Sequence, residues 1–218
     1  RAKLINTSLA HIDFEGADLQ QADLTEAVGR QCCFSKTNLK SARLHRAKFP
    51  AGDFTESNLP NADFQGADVS GARFAQAKAP GIVFLDANIS KLHASEGPDF
   101  TGGVFVRAQA AESTWETAIL DRANFSDALL TRATFTGASL KRTEFLRSEM
   151  KKACFAEANL QGARIYKSNV CHGSFERADL SGADLRGSNF YNVEFWDANS
   201  TGADFSGANL KGTKLRSL

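Results

Sequence analysis

Large apolar residues recur at every fifth position along this chain of 218 residues. From Leu4 the series runs through Leu9, Phe14 and Leu19 to Ile89, with gaps at Gly29 and Ala79. The frame then slips by one residue, resumes at Phe100 and runs to Leu215, with gaps at Ala110 and Ser200. Of 42 such centres, 38 carry Leu, Ile, Val, Phe, Met or Trp. Those types supply 53 of the 218 residues, so random placement would fill roughly 10 centres. All 17 Phe fall on a centre. The residue two before each centre is Ala, Ser, Thr, Gly or Cys in 38 of 42 cases, the exceptions being Ile12, Ile82, Pro98 and Val193.

A period of five suits neither a helix nor a strand, whose periods are 3.6 and 2. It closes if each block forms one side of a square coil. Four blocks then return the chain to its starting face, about 4.8 Å higher. The large centre points inward, and so does the small residue two before it. The other three positions face outward around the corners. Asp or Asn directly before a centre, as at Asp18, Asp63, Asp179 and Asn209, suits a side chain that accepts hydrogen bonds from nearby backbone N–H groups. Pro50, Pro60 and Pro80 directly follow centres, where a missing N–H costs little.

The stretches ADLQQADLTEA, ADFQGADVSGARF, ADLSGADLRGSNF and ADFSGANLKG resemble the A(D/N)Lxx signature of pentapeptide repeat proteins. The resemblance spans nearly the whole chain. It implies an all-β fold, a right-handed quadrilateral parallel β-helix of about ten to eleven coils and roughly 50 Å. The expected organisation is one continuous solenoid: a first repeat segment over 1–89, a break over 90–99 and a second segment over 100–218. Gly97-Pro98 marks a turn in the break, read as a bulge or small loop. Gly29 and Ala79 read as local defects in the stack.

Lys and Arg total 26 against 25 Asp and Glu, for a formal net charge of +1. That balance argues against a whole-molecule grip on nucleic acid, and equally against a strongly acidic mimic of it. Apolar residues make up 42% and charged ones 23%, as in folded globular chains. No apolar run is long enough to cross a bilayer. The opening RAKLINTSLA lacks Met and a signal-like segment, which suggests a trimmed chain or a domain of a larger protein. Cys32, Cys33, Cys154 and Cys171 lack paired spacing and read as reduced thiols of a cytoplasmic protein.

No catalytic or metal site is expected, and no cofactor. His11, His45, His93 and His172 have no second ligand at metal spacing, and Cys171-His172 point different ways in this geometry. Residues 20 apart stack on one face, so Arg122 with Arg142, Arg132 with Lys152 and His172, and Arg147 with Lys167 form basic rows. Lys141 and Lys151 join them. Lys36, Lys40, Arg43, Arg46 and Lys48 form an N-terminal counterpart with no acid between them. Tyr166, Tyr191 and Trp196 follow centres and are expected to face outward as contact anchors, whereas Trp115 occupies a centre.

These features suit a non-enzymatic interaction or scaffold module with a protein partner. The family resemblance adds an analogy with repeat domains of bacterial secretion adaptors and effectors, so a secreted protein is also compatible. It offers an alternative too, a DNA-mimicking partner of DNA gyrase, although the acidic surface and C-terminal helix of that branch are not evident. A further alternative is a binder of anionic lipid or nucleic acid through the basic rows. The C-terminal coil is expected to expose an uncapped edge that invites self-association.

Overall fold

Backbone pairing follows the fivefold pattern residue by residue. In the computed structural model, which describes residues 2–213, the residue before each centre forms a parallel bridge with its counterpart one coil above. Lys3 pairs with Asp23, Ser8 with Val28, Asp13 with Cys33 and Asp18 with Asn38. Four sides therefore repeat every 20 residues. Side 1 carries centres Leu4, Leu24, Leu44 and their successors, side 2 starts at Leu9, side 3 at Phe14 and side 4 at Leu19. Each corner takes the number of the side it follows. The result is the right-handed quadrilateral β-helix, without a helix among the described residues.

The local cause is a repeated turn. The carbonyl of most centres accepts the N–H three residues later, as Phe14 O does from Ala17 at 2.9 Å, whereas Ser148 N and Ser168 N donate to the serine hydroxyl one coil above. The second corner residue takes a positive φ at every corner, from 52° to 73°, the signature of a type II turn. Its N–H donates to the coil above, as Gln21 does to Lys40 O at 2.8 Å. The first corner N–H stays outside this ladder. An Asp or Asn before the centre captures it instead, as Asp13 Oδ1 does from Glu15 N at 2.8 Å and Asp204 Oδ1 from Ser206 N at 2.9 Å. Pro50, Pro60 and Pro80 occupy this first corner position, so they forfeit no ladder bond, and their carbonyls still accept from the coil below.

The same side chains climb the rod as amide ladders. Asn209 donates to Asn189, Asn189 to Asn169, and Asn169 to both oxygens of Glu149, at 2.9 to 3.0 Å. Side 2 thus carries a chain of aligned amides ending on a carboxylate. Each link stacks a polar group that would otherwise need water.

Inside, 14 of the 17 Phe belong to two opposite sides, 1 and 3. Within a side the rings stack, as Phe135 does on Phe155 at 4.9 Å and 2°. Between sides they meet edge on, as Phe145 meets Phe155 at 5.7 Å and 84°. Both geometries suit the ring quadrupole. Tyr is excluded because a centre offers its hydroxyl no partner; Trp115 is admitted because its Nε1 donates to Ser113 Oγ at 2.7 Å.

The gaps in the pattern are compensated. A Cβ on Gly29 would meet Cys32 Sγ at 2.5 Å, because that thiol turns into the vacant centre and donates to Leu9 O. Ala79 is followed, three residues on, by Ile82 in a small-residue slot, and both are fully buried. Gly29 is therefore not a defect; the volume missing there is supplied by its neighbour across the corner.

Bridging continues through the break. Lys78 pairs with Asp99 and His93 with Thr114, a spacing of 21, before the spacing of 20 returns at Asp99 with Ile119. One extra residue sits at a corner, where Glu96 and Gly97 both have positive φ. Ala94 occupies the centre just before it and Leu92 the slot two earlier, so large and small have exchanged places. The uncapped end expected at the C-terminus falls on 214–218, outside the described residues.

Candidate functional site

The nine candidate residues do not form one site. Arg147, Tyr166 and Lys167 lie on corner 1, Arg132, Lys152 and Tyr191 on corner 2, Trp196 on corner 3, and Arg122 with Arg142 on corner 4. Corners 1 and 2 border side 2, so six of the nine share that aspect of the rod. Corner 4 is diagonally opposite corner 2. All the cationic candidates occupy the second corner position, with φ between 52° and 61°. Glycine is the easy occupant there, and a long side chain costs roughly 1 kcal/mol.

Ion pairing along the rod neutralises part of the basic rows. Arg147 makes a two-pronged pair with Asp127 at 2.8 and 2.7 Å. That guanidinium holds the Asp127 carboxyl below the usual carboxylate range. Arg107 and Asp86 repeat the arrangement below it, at 2.6 and 2.8 Å. Corner 1 thus alternates in sign from Asp86 to Arg147, above which Lys167 adds a second cation. Arg132 reaches Glu112 at 3.9 Å. Such exposed pairs contribute little stability each, but they cancel the local field.

The N-terminal basic run is corrected by the same geometry. Residues adjacent in sequence lie on different sides, so Lys36, Lys40, Arg43, Arg46 and Lys48 encircle a coil and form no patch. The acids missing between them are stacked one coil below. Lys36 pairs with Glu15, Arg43 with Asp23 and Arg46 with Glu26, at 3.2 to 3.3 Å.

The aromatics differ among themselves. Tyr166 is half-buried between Lys167 Nζ at 5.1 Å and the Arg186 guanidinium at 5.6 Å from its ring centre. Tyr191 and Trp196 are exposed, and Tyr191 meets the His172 ring edge on at 5.6 Å. Beside them, an open groove of about 550 Å³ runs along Lys152, Cys154, His172, Ser174, Asn192 and Glu194. On corner 4 a second groove, of about 520 Å³, is lined by Thr101, Asp121, Arg122, Lys141, Arg142, Gln161 and Gly162. Sequence reasoning missed Ile119, 40% exposed on side 4 next to that groove. Its signal was an apolar residue in a slot more often held by Asp or Asn than by any other residue pair.

Among the described residues, no three of His, Cys, Asp and Glu gather as metal ligands. No described helix is long and apolar enough to cross a membrane. Among the described residues, the buried polar side chains are bonded except Ser126, whose hydroxyl has no partner. Ser126 stands on corner 1 in a column of Leu85, Val106, Leu146 and Tyr166. Ser126→Val would extend that apolar column and remove the orphan hydroxyl, while the backbone bond from Ser126 N to Asn124 Oδ1 stays. We expect a gain of about 1 kcal/mol, seen as a higher thermal unfolding midpoint; an unchanged or lower midpoint contradicts it.

Comparison with known proteins agrees with this geometry. Eight copies of the "Pentapeptide repeats" family profile match, spread over residues 1–74 and 118–217. Among solved structures, HetL of the cyanobacterium Nostoc sp. strain PCC 7120, a pentapeptide repeat protein involved in heterocyst differentiation regulation, is 25% identical; the match covers 97% of this chain and 88% of HetL, with a TM-score of 0.37. QnrB1, a plasmid-mediated fluoroquinolone resistance protein, is 20% identical over 82% of this chain and 90% of its own, with a TM-score of 0.50. Rfr23 of the cyanobacterium Cyanothece 51142 is 26% identical over 44% of this chain and 63% of its own, with a TM-score of 0.34. No curated protein matches the chain significantly. With the profile matching well over half the residues, and the bridged square coil repeating every 20 residues, the chain belongs to the pentapeptide repeat family.

Proposed function

We propose that this chain is a non-enzymatic protein-interaction module, the repeat domain of a larger bacterial protein, whose corners present side chains to an acidic protein partner. The observation that carries this reading is the charge left over after internal pairing. Most backbone groups are committed to the coil ladder, so recognition falls chiefly to outward side chains. Among these, Arg122, Lys141 and Arg142 on corner 4 and Lys151 and Lys152 on corner 2 make no ion pair among the described residues. A stacked rod is stiff, so such groups are held ready and lose little freedom on binding.

The fluoroquinolone-resistance relative keeps a topoisomerase partner in view as a second reading. A DNA mimic needs faces of one negative sign, whereas corner 1 mixes both signs and corners 2 and 4 carry excess cations. A supercoiling assay on DNA gyrase should therefore show neither inhibition nor protection from a quinolone; either effect would favour that second reading. The main reading is tested with a photo-crosslinking residue placed in turn at Thr131 on corner 2 and Gln161 on corner 4 of the whole protein in its own cells. A discrete protein adduct is expected from at least one position. Absence of any adduct from both counts against an interaction module.

A further inference from the structure

The arginines of this rod divide into two kinds. Nine of the twelve described lie within 3.9 Å of a carboxylate oxygen, usually on the coil below. Arg30, Arg122 and Arg142 have no such partner among the described residues. Arg30 stands with Ala10 below it and Pro50 above. Arg122 and Arg142 stack directly on each other, one coil apart, with Gly102 below and Gly162 above. The stem of Arg142 lies across Gly162, where a Cβ would meet its Cγ at 3.6 Å.

Two like charges stacked at coil spacing repel each other. Both residues also take the left-handed conformation, at φ of 60° and 57°, without the ion pair that offsets this cost at Arg107 and Arg147. Lys141 adds a third cation to the same groove. The one acid there, Asp121, is already engaged: its Oδ1 accepts from Ser139 Oγ at 2.6 Å and from Lys141 N at 3.1 Å. The groove therefore carries an excess of two positive charges. Beside it, on the same rung as Asp121 and Arg122, stands Ile119, with 40% of its surface exposed.

We propose that this part of corner 4 docks an acidic segment of a protein partner: paired carboxylates bridge Arg122 and Arg142, with Lys141 alongside, and an apolar side chain covers Ile119. This deepens the interaction-module reading and rests on it. Guanidinium groups favour two-pronged contacts with carboxylates, and an apolar anchor beside them supplies a desolvated centre. A long phosphodiester chain fits less well. Following side 4 past the groove, it would run onto Asp99 below and Asp179 above. The cationic surface is compact, and a short acidic motif matches its size.

The test is fluorescence anisotropy of the whole protein with a labelled peptide of four glutamates around one leucine, at low salt. Binding is expected to weaken roughly tenfold or more in R122E/R142E, and several-fold in Ile119→Ser. It should change less than about twofold in the charge-matched control K48E/K211E, whose lysines lie along side 2 and corner 2, away from corner 4. R122Q/R142Q should weaken binding without reversing charge, and an unchanged unfolding midpoint shows that the coil is intact. The site is overturned if the peptide binds unchanged in R122E/R142E, or if K48E/K211E loses as much. The partner class is overturned if a single-stranded oligonucleotide of equal charge binds more tightly through the same arginines. The docking chemistry also fails if the unaltered protein does not bind the peptide while crosslinking still yields a protein adduct; loss of both removes the interaction module with it.

Discussion

Replacing Trp115 with alanine is expected to lower the stability of the rod by about 3–5 kcal/mol. This is the largest side chain in the core, and it is fully buried. Its ring meets Phe100, Phe105 and Phe125 edge on at 5.4, 5.3 and 5.8 Å, and stacks over Phe135 at 6.2 Å. Ala94 lies one coil below in the same column and Ala110 one corner earlier, so the indole fills space that small centres leave. The surrounding rings are held in ladders and cannot collapse into the hole, which keeps the cavity term large. Ser113→Ala should cost less, about 1–3 kcal/mol, because it strands a buried indole N–H. Urea unfolding reads both, with Trp196 fluorescence as a reporter in the Trp115 variant. A loss below about 1 kcal/mol for Trp115→Ala would show that the coil repacks around the gap.

Gly173→Val is expected to destabilise by about 1–3 kcal/mol through overpacking. Gly173 occupies the small inward slot of side 3, where a Cβ would lie 2.7 Å from Ala153 O and 2.9 Å from Val170 O. Both obstacles are backbone atoms of the ladder and cannot swing away. Relief would require parting the coil from its neighbour, and the bonds from Ser174 N to Ala153 O and Glu194 N to Gly173 O are already long, at 3.1 and 3.2 Å. Gly182 is a control of a different kind. It has open space around it but a φ of 65°, so Gly182→Ala carries only the left-handed cost, roughly 1 kcal/mol. Thermal unfolding of the two variants separates the mechanisms. Equal midpoints would mean that the inward slot at Gly173 has slack.

The interaction reading gains from this rigidity. Neighbouring coils are tied by backbone bonds on every side and by ring ladders inside, so the spacing between corner residues is fixed by the coil rise. A partner meets a scale with marks about 4.8 Å apart. Which marks carry charge is then the whole of the recognition problem. The paired column from Asp86 to Arg147 on corner 1 and the uncompensated stack of corner 4 present opposite answers on one molecule.

The sequence alone determined the square coil, the inward and outward positions and the role of Asp and Asn where they precede a centre, and its resemblance to the family implied the right hand of the coil. It could do so because a five-residue block leaves few choices. A one-residue slip would turn every Phe outward, and the square interior admits only a large and a small side chain per side. It also located the one-residue slip, since that breaks the count; the structure placed the extra residue at the corner holding Glu96 and Gly97.

The tertiary structure decided what the period leaves open. It showed that Cys32 fills the void at Gly29, because compensation acts across a corner between side chains three apart. It gave Lys36, Arg43 and Arg46, which the period already disperses around a coil, their acids from the coil below. It left Arg122 and Arg142 without any such partner. Long surface side chains reach several neighbours through low-energy rotamers, and an acid 20 residues away competes with one nearby. Backbone periodicity fixes where each charge stands; only the folded coordinates decide which charges cancel.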